Sequence, residues 1–186
     1  MAPKHSLSSF SRETLKGSDR GPFFAELTGA SDRACVILCG AMVDHQLVIA
    51  LQTKMKALTR PESDRLFFEQ AATLGTMSSR IDLAYALDLI TEEAKRSSET
   101  LRRIRNTFAH ALWPISFEHP LITKECQKLP TMNWLDSPQM QVLNKHRKNL
   151  VQVSSKIATD LAKVSQAHPR FKEIMALVDA HYVAKA

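Results

Sequence analysis

An all-α fold of one domain is what this chain predicts, and three observations predict it. Among 186 residues there are five Gly, eight Pro and few β-branched runs, which favours helices over a sheet. Apolar residues recur at helical spacing over three long stretches, 34–57, 91–112 and 138–167. Capping residues stand where those stretches begin: Ser31, Thr91 and the Ser137-Pro138 pair. A chain of this length builds one core without disulfides or metal. The expectation is a dimeric bundle of about five to seven helices.

Residues 1–20 are rich in Ser and charge and read as a flexible N-terminal arm, in which Leu7, Phe10 and Leu15 are the residues able to dock. Gly21-Pro22 opens the folded part, residues 21–186, and Phe23 to Leu27 reads as a short helix. Ser31 caps a long second helix, with Asp32 at its positive end. From Ala34 to Ala57 that helix is apolar on almost every side, with Cys35, Leu38, Met42 and Ile49 among its residues. Such a helix belongs in a bundle centre or a dimer interface. Arg60-Pro61 should end it.

Glu62 to Leu74 is weakly amphipathic, and Gly75 to Ser79 reads as a break. Arg80 to Ile90 predicts a helix with Ile81, Ala84, Tyr85 and Leu89 on one side. Thr91 then caps a helix over 91–112, with Glu92 and Glu93 at the positive dipole end. Ala94, Leu101, Ile104, Phe108 and Leu112 form its apolar stripe. Trp113-Pro114 stops it. Residues 113–137 form a long connector with a helical turn around Ile122 to Leu129. A helix from Ser137-Pro138 to about Ala167 carries the stripe Val142, Leu150, Val153, Ile157, Leu161 and Val164. His168-Pro169 breaks it, and Arg170 to Val183 is the last helix.

Three Cys are too few for a disulfide scaffold, which places the chain in the cytoplasm. The first twenty residues hold no apolar signal core. The most hydrophobic run, Ala34 to Val43, is too short to span a bilayer. No His, Cys or carboxylate cluster has metal spacing, and there is neither a glycine-rich phosphate loop nor a nucleophile elbow, so no cofactor or metal is expected. Cys35 and Cys39, with His45, resemble a metal trio only superficially and read as buried thiols. Net charge is +6, which permits contact with RNA without demanding it. The run Lys145, His146, Arg147 and Lys148 reads as a solvated face.

The most informative stretch is Arg105-Asn106-Thr107-Phe108-Ala109-His110. A guanidinium holds a phosphate in a fork of hydrogen bonds, and an imidazole moves a proton near neutral pH. On an ideal helix Arg105 lies at the edge of the apolar stripe, while Asn106 and His110 share a face pointing away from it. Asp44 could accept from Arg105 or His110. Arg102 and Arg103 add positive charge beside the motif. The plain alternative is a surface Arg lying over the core and a His favoured by the helix C-terminus.

The Arg-Asn…His pattern resembles the motif of the HEPN superfamily of helical ribonucleases and their inactive relatives. More broadly, Leu27 to Leu112 resembles the mannitol operon repressor family, whose fold belongs with those helical domains. The pieces that carry this are the acid-containing helix from Gly29 to Leu47, the segment Ser78 to Ile90, and Leu101 to His110; Ser116 to Ile122 and Cys126 add to it. Nothing in 1–20 or after Ser137 supports it.

The resemblance implies a helical homodimer and a negative regulator of transcription that lacks a helix-turn-helix and acts through a partner protein. Its alternative implication is a metal-independent endoribonuclease of toxin–antitoxin type. There, His110 would deprotonate a ribose hydroxyl, Arg105 would stabilise charge on the phosphate, and Asn106 would orient the pair. That site forms across a dimer, with two Arg and two His around one phosphate.

Overall fold

The computed structural model describes residues 20–134 and 137–179, so the expected arm, apart from Arg20, lies outside the described residues. Those residues form nine helices and no strand: α1 (Arg20–Gly29), α2 (Asp32–Lys54), α3 (Arg60–Phe67), α4 (Met77–Ala86), α5 (Glu92–His110), α6 (Pro120–Cys126), α7 (Pro138–Gln141), α8 (Lys145–Gln166) and α9 (Phe171–Asp179). The all-α expectation holds. The count exceeds five to seven because α3, α6 and α7 are short helices that the long stripes did not announce.

The apolar second helix is the axis of the bundle. Ser31 caps it, its side chain accepting from the Ala34 amide. α2 packs most extensively on α8, then on α5 and α4, with α1 and α9 against its flanks. Every residue from Leu47 to Thr53 is buried, so the two turns before the exposed Lys54 have no solvent face. Of the two places such a helix can go, the bundle centre accounts for it within one chain. At 23 residues it is also long and apolar enough to cross a membrane, longer than the run that the sequence singled out. Its burial inside the bundle explains that composition.

Two acids stand on this helix, Asp32 and Asp44, and each is met by a buried arginine from elsewhere. Arg80 on α4 donates from Nη1 to Asp44 Oδ2 at 2.6 Å, from Nε to the Leu74 carbonyl at 2.7 Å and from Nη2 to the Phe67 carbonyl at 2.6 Å. Its guanidinium also lies by the Phe67 and Phe68 rings. Arg147 on α8 donates from Nη1 to Asp32 Oδ1 at 3.2 Å and from Nη2 to the carbonyls of Leu27, Thr28 and Ala30 at 3.2, 2.9 and 2.6 Å. It thereby satisfies the carbonyls that the end of α1 leaves unpaired. The solvated reading of the 145–148 run is corrected here for Arg147, which is 8% exposed. Leu150, Val151, Val153 and Ile157 on α8 face the core. Arg147 lies three residues before Leu150, on the same helical face.

Element ends differ from the sequence reading for local reasons. Arg60-Pro61 does not end α2; it begins α3, with Thr59 and Glu62 forming a capping box and Pro in the first turn. Thr76, inside the expected break, caps α4 by accepting from the Ser79 amide. α4 stops at Ala86, where Asp88 takes a left-handed backbone (φ 55°) and the Leu89 amide donates to the Ala84 carbonyl at 2.9 Å. α5 ends at His110, because Ala111 is extended. Leu112 therefore leaves the stripe and is 96% exposed. The expected helix over 138–167 is two helices: Asn144 caps α8 anew by accepting from the His146 amide. Met140 is buried in place of Val142, which is 84% exposed, and Val164 and Tyr85 are also exposed rather than core.

The connector is pinned rather than loose. Phe117 is buried and stacks tilted on Phe108 at 5.6 Å between ring centroids. Its amide donates to Asp32 Oδ2 at 3.1 Å, so Asp32 joins α2, α8 and the connector. Asn149 and Gln152 on α8 hold the chain at Pro130, Met132 and Trp134 through four hydrogen bonds of 2.9–3.0 Å.

Removing Arg147 takes away the cation of Asp32 and the donor at the end of α1, whereas the exposed Lys145 makes no ion pair among the described residues. Arg147→Ala should cost about 3 kcal/mol in urea unfolding, and Arg80→Ala about as much. Lys145→Ala should stay within about 0.5 kcal/mol. Equal effects of Arg147→Ala and Lys145→Ala would restore the solvated reading of the run.

Candidate functional site

The motif residues sit on the last turns of α5, Glu92–His110. Thr91 starts that helix, accepting from the Ala94 amide, with Glu92 and Glu93 in the first turn. Leu101, Ile104 and Phe108 are buried toward α2 and fix the helix rotation. Arg105, one position after Ile104, consequently falls at the border between core and solvent.

Arg105 is exposed at its head and packed at its stem. A Cβ on Gly40 would lie 2.9 Å from Arg105 Cγ, so a side chain there would have to displace the Arg105 stem. The stem crosses α2 at Gly40, and the guanidinium emerges beyond it, donating from Nη1 to Asn106 Oδ1 at 3.2 Å. Among the described residues it makes no ion pair.

A cleft of about 460 Å³ opens beside it, lined by Gly40, Ala41 and Asp44 of α2, residues 75–78 at the start of α4, and Arg102, Arg105 and Asn106 of α5. His110 is exposed but does not line this cleft. The structure thus brings Arg105, Asn106, Arg102 and Asp44 to one place and leaves His110 outside it.

The supporting residues have partners of their own. Asp44 accepts from Arg80, not from Arg105 or His110. Arg102 donates from Nε and Nη2 to Glu99 Oε2 at 3.0 and 2.8 Å. Arg103 reaches Glu125 of α6 at 2.6 Å. Burial pushes the Glu125 carboxyl up, but Lys128 and Arg103 outweigh it and hold the group below its ordinary value. Arg102 and Arg103 therefore carry less free positive charge than the sequence suggested.

No metal-holding group of three or more His, Cys, Asp or Glu occurs among the described residues. Cys35, Cys39 and Cys126 are buried thiols. A hydrogen bond with Cys39 and then the Arg147 guanidinium lower the Cys35 thiol, while that same bond and burial raise Cys39 well above its ordinary value. Burial pushes Cys126 up to about 12.

Sequence reasoning missed Arg80, Gly40, Ser78 and Glu99. Arg80 was legible in principle: it lies four residues before Ala84 on the buried face of α4, where an arginine requires an acid on the helix it faces. Gly40 carries a weaker signal, a lone glycine within an apolar helix.

This is a bundle with one central apolar helix and a polar cleft at its crossing with α5. No family model matches the chain. No curated protein matches it. Among solved structures, it resembles a chain of the MtlR–HPr complex from Escherichia coli, with a TM-score of 0.59 and 15% identity over 78% of this chain and 99% of that one. The two share a distant, MtlR-like fold.

The close approach at Gly40 generates a coupling between two residues. An Ala in a helix is favoured over Gly by about 1 kcal/mol, but here its methyl meets the Arg105 stem. Gly40→Ala should therefore be more favourable in the Arg105→Ala chain than in the unaltered chain, by about 0.5–1 kcal/mol. A double-mutant cycle in urea measures this; strict additivity would mean the stem does not rest on Gly40.

Proposed function

We propose that this protein is a regulatory module that works by holding a partner protein, a mannitol-repressor-like negative regulator of transcription that does not read DNA itself. The observation that carries this reading is the fold shared with a protein crystallised together with a protein partner, HPr, over nearly all of that chain. The sequence resemblance of Leu27 to Leu112 to the mannitol operon repressor family supports the same reading. A homodimer in the cytoplasm belongs to the proposal.

The ribonuclease reading retains one support: Arg105 and His110 are both exposed on the last turns of α5. His110 does not line the cleft beside Arg105, so the nuclease reading would need its site to form across a second copy.

Affinity purification after mild cross-linking in the source cells, followed by calorimetry with the recovered protein, tests the first reading. A reproducible protein partner with saturable binding is expected, and E. coli HPr serves as a first probe. Light scattering should give twice the chain mass. A chain recovered alone, which cleaves RNA in EDTA and loses that cleavage in both Arg105→Ala and His110→Ala, would replace the regulator with the nuclease.

A further inference from the structure

Among the described residues, the charges lining the α2–α4–α5 cleft cancel in pairs except one. Asp44 is met by Arg80 at 2.6 Å. Arg102 is met by Glu99 at 2.8 Å. Arg105 lines the same cleft with a guanidinium that, among the described residues, is bonded only to a neutral amide oxygen, that of Asn106. One positive charge is thus left over, on the side chain whose planar fork matches a carboxylate. The stem of that side chain is held against Gly40, so part of the ordering cost of gripping a ligand is already met by the fold. Thr76 and Ser78 bring hydroxyls to the lining, and Ser78 donates to the other oxygen of Glu99 at 3.4 Å.

We propose that this cleft is a socket for an acidic side chain of a partner protein, gripped by Arg105. The inference rests on the partner-holding reading above and adds where the partner is held and by what chemistry. A single carboxylate matches the single unmatched cation. A polynucleotide does not: it presents closely spaced phosphates that call for several free Lys or Arg, and here Asp44 lines the cleft with Arg105 while Glu99 holds Arg102. The arginines next along α5 are occupied by Glu99 and Glu125.

The test uses the full chain and fluorescence anisotropy with a labelled peptide of alternating Glu and Ala. Its Gln-for-Glu counterpart, a short single-stranded RNA and inorganic phosphate serve as competitors. Saturable binding of the Glu peptide is expected, weakened about tenfold or more in Arg105→Ala and less in Arg105→Lys, which keeps the charge and loses the fork. Arg96→Ala, an exposed arginine outside the cleft, should change nothing. Melting should be unaltered in Arg96→Ala and in Arg105→Lys, which keeps the stem on Gly40, and slightly lowered in Arg105→Ala, which loses it. Absence of saturable binding, equal competition by the Gln peptide, or indifference to Arg105→Ala would overturn the socket. Tighter, Arg105-dependent binding of RNA would replace it with a nucleic-acid site, and displacement by phosphate at the peptide's own affinity would reduce it to a bare anion site. The two readings fail separately. A purified partner that binds Arg105→Ala undiminished removes the socket and leaves the regulator; Arg105-dependent peptide binding in a chain that takes no protein partner does the reverse.

Discussion

The structure depends on covering one helix that is apolar on almost every side. α2 has 23 residues and two acids, and no orientation of it against a single neighbour could shelter it. The chain answers by surrounding it with α8, α5, α4, α1 and α9. Burial of the apolar faces drives this assembly, but it does not fix register, because apolar contact is non-directional. Register is supplied by the two acids. Asp44 takes Arg80 and Asp32 takes Arg147, and each arginine also holds backbone carbonyls from a third segment. A slide of α4 or α8 along α2 would leave a buried guanidinium without its acceptors, a larger loss than the apolar contacts would register.

The cleft follows from the same crossing. α5 can approach α2 closely because Gly40 has no side chain, and the space a Cβ would fill belongs to the Arg105 stem. Just beyond, the start of α4 stands off far enough to leave an opening. Arg105 is thus structural along its stem and available at its head. The two roles are compatible because they belong to different atoms of one long side chain.

A net charge of +6 distributes unevenly once the fold is known. Arg80 and Arg147 are inside, and Arg96, Arg102 and Arg103 are paired with carboxylates. The excess on the motif face is smaller than counting residues along α5 suggests. This is a physical reason to prefer a partner with a few well-placed acids over one that carries a continuous negative charge.

The sequence by itself determined the helices and their approximate order. The signals are local: apolar residues at helical spacing, and Ser31 and Thr91 placed where the first free amides of α2 and α5 need an acceptor. It also singled out Arg105 and Asn106 and placed Arg105 at the edge of the stripe, since that follows from helix geometry and the positions of Ile104 and Phe108. Only the tertiary structure decided which acid met which base. Asp44 was open to Arg105 or His110 in the sequence and is taken by Arg80, 36 residues away. Arg147 sat in what read as a solvated run and is buried against Asp32, 115 residues away. Pairings across such separations leave no local pattern, because they are set by how helices cross. The same holds for Leu112, whose periodicity fitted the stripe until Ala111 turned the chain out of the helix.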